Sequence, residues 1–300
     1  MKKVQILIST YNGEKYLIEQ LESLIIQDYP DINILIRDDG SKDNTLAILN
    51  EYSKKYPNIS YYKGNNLGCW QSFMDLIQQC DKEAYYYAFC DQDDVWEYNK
   101  ISSAIKVLEQ MKQSVPLLYC SKLKPVGEEL EEIKVTINNI NFRPSFGNAV
   151  IQNICTGCTA VINRNAVEMA MNKIPKFMVQ HDWWFYLIAS CYGEVYYDEN
   201  SYILYRQHGN NEIGARTTQI EQLKYRLRTY KKRRGNIYRQ LKEFISLYKI
   251  EGKNRDLIEL VLATEYQVKK RFEMVANKRI YRQKLMDDII YKVIILIGDA

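Results

Sequence analysis

A chain of 300 residues is long enough for one large domain, or for one domain with an appendage. With 46% hydrophobic and 26% charged residues it is neither disordered nor low-complexity, and no stretch of 18 apolar residues suggests a membrane span. The formal net charge of +4 is unevenly placed: residues 211–300 hold 21 Lys and Arg against 11 Asp and Glu, while residues 1–210 are net acidic.

The apolar run Val4–Thr10 (VQILIST) predicts a buried first strand rather than a signal peptide. Tyr11-Asn12-Gly13 is a turn. Leu17, Leu21, Leu24 and Ile25 give helical spacing within 14–27. A second strand is expected over Ile32–Asp39, ending in Asp38 and Asp39, and Asp43 can cap the helix after it. A third strand at Ile59–Lys63, a helix at Leu67–Cys80 and a fourth strand at Ala84–Cys90 complete a β-α-β-α-β-α-β run. That alternation predicts a parallel sheet covered by helices. Three carboxylates, Asp91, Asp93 and Asp94, follow the fourth strand. Like charges this close repel, and a divalent cation with oxygen ligands would remove the repulsion. A solvated acidic turn is the plain alternative.

Further on, a helix is expected at Tyr98–Met111, a strand at Leu117–Ser121, and an irregular excursion over 122–148. In Asn153–Asn163 a glycine, Gly157, separates two strand fragments of small residues, consistent with a bulge or with backbone approaching a ligand. Helices are expected at Arg164–Met171 and from His181-Asp182 onward, then a strand at Val195–Arg206. Asp182 could simply cap its helix. Beside Trp183 and Trp184 it could instead hold a raised pKa and act as a base. His208, at the end of the last strand, could ligate a metal. From about Thr217 the pattern is purely helical, with helices expected over 257–275 and 280–297 and a break at Gly252. The expected domains are 1–215, an α/β catalytic unit, and 216–300, a basic helical unit for acceptor binding or oligomerisation.

Neither G-x-G-x-x-G nor a Walker A sequence is present, so a bound diphosphate would need a metal to neutralise it. The seven scattered cysteines read as reduced thiols of a cytoplasmic protein.

STYNGEKYL at 9–17, RDDGSKDNT at 37–45, NLGCWQSF at 66–73 and DQDDVW at 91–96 together resemble the family 2 inverting glycosyltransferases of the GT-A fold. CTGCTAVINR at 155–164, HDWW at 181–184 and YRQHGNN at 205–211 resemble the rhamnosyltransferase-like subgroup. The resemblance implies a mixed Rossmann-like sheet with helices on both faces and Mn²⁺ or Mg²⁺ as cofactor. It implies that Thr10, Tyr11, Asn12 and Asp39 line the nucleoside pocket, with Asp91 near the ribose, and that Asp93 and His208 hold the metal. Asp182 would be the catalytic base, and Gly157, His181, Trp183 and Asp94 would lie near the donor sugar or the acceptor. His181 stands where the family usually has a glutamate.

The implied partners are a nucleotide-sugar donor such as dTDP-rhamnose or UDP-glucose/galactose and an oligosaccharide acceptor. Peripheral contact with the inner face of the membrane and homo-oligomerisation through the helical unit are further expectations. A competing reading makes the basic tail, with KKRR at 231–234, the working part of a nucleic-acid- or partner-binding scaffold without turnover. The acidic first 210 residues and the lack of a nucleic-acid motif oppose it.

Overall fold

The computed structural model describes residues 2–133, 141–209 and 234–298. Eight strands form one sheet in the order β3-β2-β1-β4-β7-β6-β8-β5. Strands β1 (Val4–Thr10), β2 (Ile32–Asp38), β3 (Ile59–Lys63) and β4 (Tyr86–Cys90) pair in parallel, as the alternation with helices requires. β7 (Val161–Asn163) then pairs antiparallel with β4 and with β6 (Leu117–Val126). β8 (Glu194–Arg206) lies parallel to β6, and a two-residue strand β5 (Val95–Trp96) closes the far edge antiparallel to β8. The sheet is therefore mixed, and its second half depends on pairings far apart in sequence.

Side chains on the central strands alternate between two separate cores, which is why these strands read as unbroken apolar runs. Val4, Ile6 and Ile8 of β1, with Tyr86, Ala88 and Cys90 of β4, face one core. Helices α1 (Leu17–Ile25), α2 (Thr45–Lys55) and α4 (Lys100–Leu108) contribute Leu21, Leu49 and Ile101 to that core. Leu7, Tyr87 and Phe89 face the other, with α3 (Cys69–Gln79), α5 (Phe146–Ala149), α6 (Arg164–Met171) and α7 (His181–Tyr192). The same core takes in Leu241 and Phe244 of α8 (Asn236–Leu247), Ile258 of α9 (Gly252–Ala263), Met274 of α10 (Val268–Ala276) and Ile295 of α11 (Leu285–Ile297). The C-terminal helices thus share a core with the sheet. The expected division at 215 falls on residues outside those described, as does the apolar stripe Ile220–Tyr230.

Several expected elements shift. β6 continues five residues past Ser121, since β8 pairs with it throughout its length, with register shifts at Lys122. The helix expected over 257–275 is two helices: the chain breaks at Thr264, whose hydroxyl donates to the Val261 carbonyl at 2.7 Å. Gly252, expected as a break, stands at the end of the gap between α8 and α9 and opens α9 with φ +58°. All seven cysteines are free thiols, and no helix among the described residues is long and apolar enough to cross a membrane.

Candidate active site

From β1 the chain runs outward through β2 to β3, then returns to the other side of β1 as β4. In open α/β sheets such a reversal opens a crevice at the carboxyl ends of the strands. Thr10-Tyr11-Asn12 leave β1 there, Asp38-Asp39 leave β2, and Asp91–Asp94 leave β4.

The first two loops are bound together by polar contacts. Asn12 takes a left-handed φ of 49°, tolerable for Asn. Its N–H donates to Ser41 Oγ at 2.8 Å and its Oδ1 accepts from the Lys42 N–H at 2.9 Å. Gly13 N–H donates to Thr45 Oγ1 at 2.8 Å. The Asp43 carboxylate accepts from the Thr45 N–H at 3.0 Å, although the N-cap of α2 is Asn44 and not the expected Asp43. Gln92, between the acidic residues, clamps Tyr11 from the other side: its Oε1 accepts from the Tyr11 N–H at 2.8 Å and its Nε2 donates to the Tyr11 carbonyl at 3.1 Å. Thr10 is buried, while the side chains of Tyr11 and Asn12 are exposed.

Asp39 is buried and pairs with Arg37. It also accepts from the backbone N–H groups of Leu67 at 2.8 Å and Gly68 at 2.9 Å. Those three bonds leave about one of the roughly four lone-pair positions of a carboxylate for a ligand. Arg37, itself buried, bonds Asp75 at 2.8 Å and Ser72 at 3.0 Å, so the base of the pocket is held by an ionic network.

The three acidic residues after β4 diverge. Asp93 Oδ2 lies 2.7 Å from His208 Nε2. Asp94 is fully buried, and its Oδ1 accepts from the Arg206 N–H at 3.1 Å. Burial, with the charges of Asp93 and Asp91 added, holds the Asp94 carboxyl well above the usual range. Asp91, half-buried, forms a third arm: ligand atoms of Asp91, Asp94 and Cys158 lie within 4.8 Å of one another. Burial also raises the Cys158 thiol well above its ordinary value. Sulfur is a soft ligand and burial disfavours the ligating thiolate, so the Cys158 arm suits a hard cation poorly. Asp93 and His208 fit better: one carboxylate oxygen and one imidazole nitrogen suit Mn²⁺ or Mg²⁺ in part, and Mn²⁺ accepts imidazole readily.

His208 is braced by residues with no local sequence signal. Its ring stacks on Tyr16 with centroids 4.8 Å apart. The Tyr16 hydroxyl donates to Glu128 at 2.7 Å, and the Arg206 guanidinium lies 4.8 Å from the centre of the same ring. Arg206, buried, also donates to the Asp93 carbonyl at 2.8 Å and pairs with Glu19.

Asp182 stands at the start of α7, nine-tenths buried, with Oδ1 accepting from the Trp183 N–H at 2.6 Å. That bond reaches only the next residue, and the N-cap of α7 is Gln180, which makes no side-chain capping bond, so Asp182 is not the expected cap. Burial nonetheless pushes its pKa up to about 7, against the opposing pull of the Trp183 N–H, Asn153 and the Gly157 N–H. His181 is buried between Phe73, stacked at 4.0 Å, and Phe89, edge-on at 4.8 Å. Neither ring nitrogen has a hydrogen-bond partner, and burial alone lowers its pKa to about 3. His181 is thus neutral and lies below the surface, as does Asp94. Gly157 is where it is because of that ring: a Cβ there would sit 2.8 Å from His181 Nε2. Trp183, half-buried, donates its indole N–H to the Ala149 carbonyl at 2.6 Å. The KKRR run at 231–234 and the basic residues Arg226 and Arg228 lie outside the described residues apart from Arg234.

A crevice at the switch point with acidic strand ends suits a bound ligand, and comparison gives the family. Residues 5–169 match the model of glycosyl transferase family 2. The chain is 33% identical over 225 residues to the dTDP-rhamnosyl transferase RfbG of Shigella flexneri, spanning 69% of this chain and 74% of that protein. An uncharacterized glycosyltransferase of Rickettsia typhi is 26% identical over 230 residues, spanning 73% and 68%. Among solved structures, S. aureus TarS 1–349 superposes with a TM-score of 0.59 at 16% identity, covering 99% of this chain and 79% of that one. Its complex with UDP-GlcNAc gives 0.57 over 92% and 76%. The mannosyltransferase PcManGT of Pyrobaculum calidifontis, in complex with GDP-Man and Mn²⁺, gives 0.57 at 13% identity over 91% and 72%. The chain belongs to glycosyl transferase family 2, is a glycosyltransferase, and has the GT-A fold.

Proposed function

We propose that this enzyme transfers a deoxyhexose or hexose from a nucleotide-diphosphate sugar to a hydroxyl of a growing glycan, with inversion, and that dTDP-rhamnose is its donor. The observation that carries the reading is Asp182, a buried carboxylate with its pKa raised to about 7, in the first turn of α7 beside Gly157. A general base works best when its pKa lies near the operating pH. The likeness to the dTDP-rhamnosyl transferase RfbG supports the choice of donor over UDP-glucose or UDP-galactose.

In this reading Thr10, Tyr11 and Asn12 hold the nucleoside, Asp39 accepts from the base through its remaining lone pair, and Asp91 meets the ribose. Asp93 and His208 hold Mn²⁺ or Mg²⁺. Bound there, the ion supplies Lewis-acid stabilisation of the charge that develops on the leaving diphosphate. Asp182 takes the proton of the acceptor hydroxyl as that oxygen bonds to the anomeric carbon. The bond from that carbon to the diphosphate oxygen breaks on the opposite face. One displacement with one base inverts the configuration. Gly157 keeps the wall beside Asp182 free of side chain, and Trp183 offers an aromatic edge to the sugar.

The test is a panel of dTDP-, UDP- and GDP-sugars incubated with the enzyme and Mn²⁺. Consumption of dTDP-rhamnose in preference to the others, lost in Asp182→Asn, supports the proposal. Preference for another donor overturns the assignment of the sugar, and turnover unaffected by Asp182→Asn overturns the base.

A further inference from the structure

Helix α11 is amphipathic the wrong way round. Its inward side carries Asp288, Tyr291 and Ile295, and Asp288 is satisfied there by Lys292 at 2.7 Å and by the Arg282 N–H at 2.8 Å. Its outward side is wholly apolar. Leu285, Met286, Ile289, Ile290, Val293 and Ile297 are between 44% and 73% exposed. At 100° per residue they fall within one arc of about 140°, and no polar side chain interrupts it. Single exposed apolar residues need no explanation, but a contiguous stripe of this kind marks an interaction surface. The stripe has a neighbour in α10, whose Val268 and Phe272 are 59% and 62% exposed, and Arg271 of α10 packs against Gly298 at the end of α11.

We infer that this face docks on an anionic lipid bilayer, with α11 lying in the interface. Three observations favour lipid over protein. Residues 268–298 hold eight Lys and Arg against three Asp and Glu, and two of those acids are already paired, Glu273 with Lys270 and Asp288 with Lys292. Lys269, next to Val268 in sequence, and Lys278 are exposed, and Lys284 directly precedes the stripe, which complements anionic headgroups. The arc also offers no hydrogen-bonding group, whereas protein interfaces carry about one hydrogen bond per 100–200 Å². A stripe about 20 Å long and one helix wide is small against the roughly 800 Å² per partner of a stable complex. The inference does not depend on which sugar is transferred.

The experiment uses the full chain and vesicles of equal phosphatidylglycerol and phosphatidylcholine, with pure phosphatidylcholine as reference. Sedimentation should show binding to the anionic vesicles that falls at least tenfold in Ile289→Glu/Val293→Glu. Both positions are exposed, so the double variant should keep the wild-type unfolding temperature. As a second readout, Ile290→Trp should gain emission that brominated lipid quenches, while the emission of the wild-type protein is unchanged. Three results overturn the inference: no vesicle binding by the wild type; binding unchanged in the double glutamate variant, which would mean that basic charge alone suffices; or a lipid-free wild-type dimer that the same substitutions dissociate, which would give the face to a second copy of the chain.

Discussion

His208 Nε2 and Asp93 Oδ2 meet at 2.7 Å although 115 residues separate them in sequence. The pair is held from both sides, by Tyr16 stacked on the imidazole and by Arg206 bonded to the Asp93 carbonyl. If these two atoms are metal ligands, His208→Ala should weaken Mn²⁺ binding, read by EPR titration, by at least about 10–100-fold, the loss seen even for changes beyond the ligands themselves. Tyr16→Ala, which removes only the brace, should give a smaller loss. Mn²⁺ affinity equal to wild type in both variants would return the pair to a structural ion contact.

Asp182→Asn keeps the shape of the side chain but removes the proton acceptor. Turnover should fall by about 10²–10⁴ with donor affinity unchanged. In the wild type kcat should rise with pH through about 7 as Asp182 ionises, and the variant should lose that limb. Stability carries the opposite sign. A carboxyl whose pKa is raised on folding keeps its proton in the folded state between about pH 4 and 7 while the unfolded chain has released it. Wild-type stability from this group is therefore present at pH 4 and lost as pH rises to 7. Asp182→Asn should raise Tm at pH 8 and leave it nearly unchanged at pH 4.

Gly157→Ala should disturb both stability and catalysis. The new methyl would lie 2.8 Å from His181 Nε2 and 3.8 Å from Asp182 Cβ, and His181 cannot yield because Phe73 and Phe89 hold its ring. Overpacking of this kind costs about 1–3 kcal/mol. Adding His181→Ser should recover part of that loss, a coupling that a double-mutant cycle by chemical denaturation will measure.

Phe244→Ala should cost about 3–5 kcal/mol, as for other buried aromatics. Phe244 is fully buried, edge-on to Trp184 of α7 at 5.2 Å and against Tyr248 at 4.8 Å. For the same reason a chain ending at residue 215 should expose Trp184 and fail to stay soluble. A folded, active 1–215 fragment would show that the shared core is dispensable.

Lys100 lies buried with its Nζ 3.4 Å from the centre of the Trp96 ring and without a hydrogen-bond partner. Burial lowers its pKa to about 8. The unfolded chain then binds the extra proton between about pH 8 and 10.5, so the penalty for burying the ammonium is full below 8 and disappears as pH rises. Lys100→Met should stabilise the protein by about 2–3 kcal/mol at pH 7 and much less at pH 10, by denaturant titration.

What the sequence made legible follows from range. β1, β3 and α6 begin and end at the expected residues and α7 begins at the expected one, because each is set by its own apolar period or by capping residues such as Asn163, whose Oδ1 accepts from the Ala166 N–H at 3.1 Å. β5 was not foreseeable: two residues carry no period, and Val95–Trp96 is a strand only because β8 lies beside it. Asp93 and His208 stood out singly as chemistry-bearing residues, but nothing local marked Tyr16, Glu128 or Arg206 as their supports. Asp182 was ambiguous for a physical reason. Capping is decided by neighbouring N–H groups, whereas a raised pKa depends on burial contributed by distant segments; here Gln180 holds the N-cap position and Asp182 is buried inside the first turn. Cys158 joined Asp91 and Asp94 only through the fold.

The place of β8 in the sheet has a kinetic consequence. β8 lies between β6 and β5, so Val95–Trp96 cannot enter the sheet until Glu194–Arg206 has been laid down. Pairings of such long sequence separation form late, because the loop they close must be ordered before they return any contact energy. The four parallel strands of the first half can assemble from a nascent chain, yet Asp93 stays without its imidazole until residue 208 has emerged and zipped into register. Acquisition of the Asp93–His208 pair therefore reports closure of the far edge of the sheet, and a chain stalled short of that point carries the strand-end crevice without that pair.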